Sequence, residues 1–361
     1  MTTQSTKSRQ LTRDEIEAFG AELDAMRRDV MSRVGESDAV YIRKVQSFVR
    51  YTEIAGRGLL FAGIFPPAFI AGSALLGISK IVDNMELGHN VMHGQYDWLN
   101  DPTLRGNEYE WDSACTGEAW RHSHNFMHHT YTNVVGKDRD LGYGVLRLTD
   151  DEPWQPKYLF NPLMAFALAV FFQWGVAFHD LETDRVMKGE KSREQLWTEV
   201  KQNFPKWARQ FGKDYVLFPL LAGPFFLPVL LGNMTANVIR NVWAFMIIFC
   251  GHFTTDAETF SEESLANETR GDWYVRQLRG SSNLEGGKVF HFFSGNLSHQ
   301  IEHHMFPDVP AIRYAELAPK VREICARYGQ NYNTGSLWTQ FSQVCKRIVT
   351  YSVPPQLATA H

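Results

Sequence analysis

Nine of the chain's 13 histidines fall in three short windows: "HNVMH" with His89 and His93, "HSHNFMHH" with His122, His124, His128 and His129, and "HQIEHH" with His299, His303 and His304. Core packing does not gather imidazoles in this way. Residues three and four apart on a helix share a face, so each window aims two or three side chains at one volume, with Gln300 joining His303 and His304 in the third. A single tetrahedral zinc takes four ligands; the supply here is roughly double, and two metal ions fit it better. The residue types leave the metal open, because imidazole suits zinc, copper, iron and nickel alike. Isolated histidines are more often core or surface residues than ligands, and His179, His291 and His361 are read that way.

The elements that must hold three such windows together are legible from composition. Apolar residues make up 44% of the 361 and aromatic ones 13%, yet they are gathered into a few long runs between charged stretches. That is the pattern of a membrane protein with a large water-exposed part, and it explains the mean hydropathy of -0.29. A net charge of -4 gives no basic face for nucleic acid. Cys115, Cys250, Cys325 and Cys345 lie far apart without CxxC spacing, which speaks against a zinc knuckle or disulfide framework and for a reducing, cytosol-facing active part. The polar start lacks the apolar core of a signal peptide, so insertion falls to the internal runs.

Residues 1–48 form a cytosolic segment with an amphipathic helix over 12–34. Thr12 and Glu15 make a capping box, Ile16, Phe19, Leu23, Met26 and Val30 recur at helical spacing, and Gly35 stops it. Within 49–93, Arg57 and Lys80 bracket 22 uncharged residues, and Pro66 with Pro67 breaks the run, predicting a hairpin of helices over 49–65 and from Pro67 into the first window. Residues 94–158 are polar and turn-rich and carry the second window. Residues 159–213 combine an apolar run, 159–178, with a basic cytosolic segment. Residues 214–254 predict a second hairpin, with helices over 215–232 and 241–252 and an outer turn at 233–241. Residues 255–361 read as a cap bearing the third window, with a helix near 312–328 stopped by Gly329. The sum is an all-α integral membrane protein: four transmembrane helices in two hairpins, and a cytosolic helical cap carrying a two-metal site in one catalytic domain.

HxxxH, then HxxxHH about thirty residues on, then QxxHH after two more spans resembles the membrane-bound fatty acid desaturases, a non-haem di-iron family. "NMELGHNVMHGQYDW", "WRHSHNFMHHTYTNVVG" and "GNLSHQIEHHMFPDVPAIRYAE" are similar to actinobacterial acyl-CoA and acyl-lipid desaturases. The resemblance implies ligands at His89, His93, His124, His128, His129, His303 and His304, and one more at the cytosolic end of the last span, where His252 is the candidate. Gln300 replaces a family histidine; Gln300, His299 or a water completes the third window. His122 lies out of register and is assigned to the surface or to support.

The implied reaction uses two iron ions, with O2 as co-substrate, to insert a cis double bond mid-chain, delta-nine-like, into a long-chain acyl-CoA or acyl-lipid. Glu86, Asp138, Asp140 and Glu302 are candidates to accept the outer N–H of ligand imidazoles. Tyr96, Trp98, Trp111, Trp120 and Trp154 are candidates to line an apolar tunnel. The chain has no HPGG haem motif and no GxGxxG fingerprint, so a separate ferredoxin-type or flavin reductase must supply electrons. All ligands must meet on the cytoplasmic side of the bacterial inner membrane, so the 159–178 run is expected in the interface or against the cap. A di-iron hydroxylase of the same superfamily is the nearest alternative, and the "GN" and "FPD" flanks of QIEHH favour desaturation over it. A metal transporter would want its ligands within the spans.

Overall fold

The computed structural model describes residues 8–355; His361 lies outside them. The described residues are mostly helical, with one short parallel pair of strands among them, Asn283–Glu285 with Thr334–Ser336, in which Asn283 stands opposite Thr334. The pair pins the approach to the third window against the last helix, Leu337–Thr350.

Thr12 and Glu15 cap the first helix, Arg13–Met31, reciprocally. Its apolar stripe of Phe19, Leu23, Met26 and Val30 is buried with Tyr274, Phe306, Tyr314 and Val321. The helix therefore belongs to the body that carries the third window. In the C-terminal third, Tyr314–Arg327 is helical and Gly329 follows at φ +62°.

The first hairpin consists of Glu36–Phe61 and Pro66–Met92. Its first helix starts well before residue 49, because Asp38 accepts from the Gly35 backbone N–H at 3.0 Å and sets an N-terminus there. Pro66 and Pro67 occupy the first turn of the second helix, where a missing N–H costs nothing. Pro66–Met92 is long and apolar enough to cross a membrane, and so is Gly223–His252.

The second hairpin departs from the sequence expectation. Arg193–Phe211 runs on through Gly212–Leu217 and Phe218–Leu221, the chain turns at residues 222–225, and Phe226–His252 is one continuous helix. No turn exists at 233–241. The polar residues there are buried between helices: Asn233 donates to the Asp214 carbonyl at 2.6 Å, Asn237 to the Asp214 carboxylate at 3.1 Å, and Asn241 to the Val170 carbonyl at 2.8 Å. Lys80 is likewise interior, bridging Asp112 at 2.9 Å and Asp214 at 2.8 Å. These bonds tie both hairpins to the loop between the first two windows.

The 159–178 run forms Asn161–Val170 and Phe172–His179, with a bend of 103° between them. Counting this bent pair as one span would make three candidate spans. Phe172 and Leu168 pack with Phe245 and Phe249 of the last long helix.

Candidate metal centre

Each window sits where a helix is locally irregular. Pro66–Val82 widens into a π-helical turn at Asp83–His89 before Asn90–Met92, so His89 ends the wide turn and His93 follows the helix. The second window is another π-helical turn, Arg121–His128, continued by His129–Tyr131. Such turns admit an extra residue per turn and are frequent at functional sites. The third window is the short helix Gln300–Met305, entered through Gly295 and Asn296, both at positive φ. A Cβ on Gly295 would stand 2.5 Å from the Met85 carbonyl, so only glycine lets the third window lie directly on the helix of the first.

The windows converge. Ring nitrogens of His89, His93, His124 and His303 lie within 4.8 Å of one another, as do those of His128, His252 and His304, and His129 joins His303 and His304 in a third such set. Trp120 stacks on His124 at 4.5 Å.

The outer nitrogens decide what the inner ones can do. The Nδ1–H of His128 donates to Asp138 at 2.9 Å, that of His124 to Asp140 at 3.3 Å and that of His252 to the Gly280 carbonyl at 3.2 Å. His89 donates to Asn90 at 3.0 Å, His304 to Gln277 at 3.0 Å, and His303 to Tyr314 at 3.3 Å. With Nδ1 protonated, each Nε2 carries a bare lone pair. The Nε2 atoms of His89, His93, His124, His129 and His303 are buried without a partner. Those of His252 and His304 face each other at 3.0 Å, an arrangement repulsive for two lone pairs. Burial pushes the His93, His129, His303 and His304 rings well below the usual histidine range, which keeps them neutral. For His128 burial acts the same way, but the charges of Asp138 and Asp140 outweigh it and raise the group. Orphaned, inward-facing, neutral imidazole nitrogens in two adjoining groups are a donor set that fits two metal cations.

The third window's ambiguous position is narrowed. Gln300 reaches His252, amide to Nε2, at 2.9 Å, an approach that Gly251 permits, since a Cβ there would stand 2.9 Å from the Gln300 side chain. His299 stacks on His291 at 4.5 Å and enters none of the groups. His122 is exposed and packs beside Phe126.

Among the carboxylates, Asp138 and Asp140 bond imidazoles directly, whereas Glu86 and Glu302 do not. Glu86 accepts from Tyr41 at 2.6 Å and Asn296 at 2.9 Å, and Glu302 accepts from Asn283 and Tyr332, each at 2.8 Å. They brace the backbone of their windows, one step removed from the rings.

A mostly apolar cavity adjoins the histidines. Trp111 and Trp120 line it together with Phe172, Val176, Ala244 and Ile248. Tyr96, Trp98 and Trp154 do not. Tyr96 is buried with Ile42 and Val45, Trp98 is 39% exposed, and Trp154 donates to the Ser352 carbonyl at 3.0 Å. Sequence reasoning missed His179, which lines the cavity 3.7 Å from Asp140. It also missed Asn90, Gln277 and Tyr314 as partners of the clustered rings; of these only Asn90, adjacent to His89, left a local signal.

Two adjoining groups of imidazoles able to hold metal ions, set at the ends of helices apolar enough to cross a membrane and beside an apolar cavity, fit a helical enzyme that acts on apolar chains. Residues 65–336 match the fatty acid desaturase family model, and the chain belongs to that family. It is 45% identical over 348 residues, 95% of this chain and 82% of the relative, to an NADPH-dependent stearoyl-CoA 9-desaturase of Mycobacterium tuberculosis. It is also 24% identical to an sn-1 linoleoyl-lipid 6-desaturase of Synechocystis, over 91% of each chain. The chain is thus a fatty acid desaturase, an oxidoreductase of lipid metabolism.

Proposed function

We propose that the chain inserts a double bond at position 9 of a long-chain saturated acyl-CoA, using two iron ions and O2. The observation that carries this reading is the set of unpaired Nε2 atoms facing one another beside an apolar cavity; the similarity to a stearoyl-CoA 9-desaturase supports the substrate. His89, His93, His124 and His303 would hold one iron, and His128, His252 and His304 the other, with His129 between them and Gln300 beside His252. Bound iron supplies reduction of O2 and removal of hydrogen from unactivated methylenes.

The chain's own residues do the rest. Asp138, Asp140, Asn90, Gln277, Tyr314 and the Gly280 carbonyl fix the tautomer and tilt of the rings. Trp120 and the aliphatic wall exclude water and hold the alkyl chain against the histidines. A separate reductase drawing on NADPH delivers electrons. The long helices cross the bacterial inner membrane as two hairpins, the bent 161–179 segment lies in the interface, and the centre faces the cytoplasm.

Purified protein supplied with stearoyl-CoA, O2 and a reductase system should contain iron and yield the 9-monounsaturated product by gas chromatography with mass spectrometry. An oxygenated product without loss of two hydrogens would overturn the reading. A periplasmic signal from a reporter fused near Lys191 would overturn the topology.

A further inference from the structure

An apolar face stands uncovered at the level where the long helices end. About 20 residues, each rising about 1.5 Å, cross the hydrocarbon of a bilayer. Counted from Pro66 that length ends at Met85, and counted from Phe226 it ends at Phe245. Met85 and Phe245 lie in one buried cluster, so both helices reach the boundary together. Trp243, a residue type enriched where lipid meets water, sits at the same level and donates its indole N–H to the Phe293 carbonyl at 2.7 Å.

The C-terminal helix, Leu337–Thr350, packs there, with Val344 and Ile348 in the cluster of Met85 and Phe245. On its other side Trp338, Ser342, Cys345 and Val349 are spaced four, three and four residues apart and share a face, and all four are exposed. Ser342, the polar member, turns its hydroxyl back to the Thr339 carbonyl at 2.7 Å, which meets its donor within the helix. An exposure of 73% for Trp338 and 69% for Val289, on the neighbouring short helix Lys288–Phe293, leaves large apolar side chains bare. Leu163 and Phe166 of the bent 161–179 segment are bare as well. Exposed lysines adjoin these residues in sequence: Lys346 beside Cys345, Lys288 beside Val289, and Lys157 ahead of the bent segment.

This helix is no loose tail. Arg347 donates to the Thr254 and Ala257 carbonyls, just past His252, at 3.0 and 3.1 Å, and the strand before the helix pairs with Asn283–Glu285. The face is therefore held in one orientation by the body that carries the histidines.

We propose that the C-terminal helix is a membrane-surface anchor and that its partner is the lipid surface of the leaflet in which the long helices end. Trp338, Cys345 and Val349, with Val289, enter the boundary between headgroups and acyl chains, and the lysines meet anionic phospholipid. The proposal rests on the two-hairpin crossing proposed above.

Cys345 is exposed and Cys115, Cys250 and Cys325 are buried, so a nitroxide on Cys345 reports on this face in the full chain without a substitution. In nanodiscs of phosphatidylcholine with phosphatidylglycerol, collision with O2 and with a water-soluble nickel chelate reads its depth. The label should favour O2 over nickel at a depth of about 5–10 Å, stay there in Trp338→Phe, and move into water when Trp338→Asp and Val349→Asp are combined. Two labels in a Cys345→Ser background calibrate the scale: Glu17→Cys on the first helix for water, and Met234→Cys, exposed partway along Phe226–His252, for hydrocarbon. Nickel collision at Cys345 equal to that at Glu17→Cys, or a depth unmoved by the two aspartates, overturns the anchor alone when Met234→Cys reads hydrocarbon. Shielding of Cys345 that appears only with two chains per disc identifies a second copy as the occupant and overturns it too. Nickel reaching Met234→Cys as freely as Glu17→Cys overturns the anchor together with the crossing on which it rests.

Discussion

Asp138→Asn is the sharpest test of how the centre is held. The Asp138 side chain is fully buried and accepts four hydrogen bonds: two from the His128 Nδ1–H at 3.0 and 2.9 Å, one from the Asn133 backbone N–H at 2.7 Å, and one from the Asp140 backbone N–H at 2.9 Å. An amide has one oxygen. Whichever way it turns, its NH2 confronts a buried backbone donor, and the charge opposite His128 is gone. Hydrogen bonds to a charged group contribute about 1.5–3 kcal/mol each, so the loss of one backbone bond and the weakening of the rest should cost about 3 kcal/mol. That cost falls on the loop orienting His128, and loss of such a supporting partner typically weakens metal binding by about ten- to a hundredfold. The assay is iron per chain after equilibration with graded chelator. Glu302→Gln is the matched control, because Glu302 is equally buried and next to His303 yet hydrogen-bonds to none of the clustered imidazoles, lying only 4.0 Å from the His299 ring outside them. Unchanged iron retention in Asp138→Asn, or an equal loss in Glu302→Gln, would refute the argument that the outer Nδ1 bond governs the inner lone pair.

Three further outcomes follow from the same geometry. His252→Ala removes one of three rings from one group, so metal analysis should find iron falling from about two to about one per chain while the four-ring group stays filled. His299→Ala should retain iron and product formation, since that ring stacks on His291 instead; loss of iron in this variant would return His299 to the ligand set. Glu302 tests a pH dependence. Burial raises its carboxyl from 4.5 to about 7, against the bonds from Asn283 and Tyr332. The folded state then holds the proton more tightly than the unfolded one. The stabilisation is fully present below about pH 4.5 and is lost as pH rises through about 7, by roughly 3 kcal/mol at about 1.4 kcal/mol per unit. Unfolding midpoints of metal-free protein should fall across that window, and Glu302→Gln should flatten the slope.

The histidine grouping was legible because ligand spacing is local: four-residue intervals put rings together on an α-helical or a π-helical turn alike, so the widened turns at Asp83–His89 and Arg121–His128 left no trace in the pattern. The 233–241 turn shows where composition fails. Asn233, Asn237 and Asn241 look like turn residues in one dimension, and only the folded chain shows each donating across a helix contact. Glu86 and Glu302 were drawn into the site by sequence proximity, but each points to a tyrosine and an asparagine. Asp138 and Asp140 act because their loop folds back over His128 and His124, which no periodicity encodes. The tunnel aromatics are singled out by residue type and by nearness in sequence to the first two windows, and of the five only Trp111 and Trp120 reach the cavity.

The adjacent pair His303 and His304 gives one ring to the group of His89, His93 and His124 and the other to that of His128 and His252, and both meet His129 between them. Neither group can close until this late piece of chain has been made, and by then both long apolar helices have already been synthesised. In the proposed two-iron centre, insertion of those helices would therefore run ahead of metal binding, and a chain arrested before residue 303 would carry two unfinished nests of imidazole. In that proposed centre the same dipeptide would link the loading of the two ions, so that a slip in the packing of one short helix would disturb both.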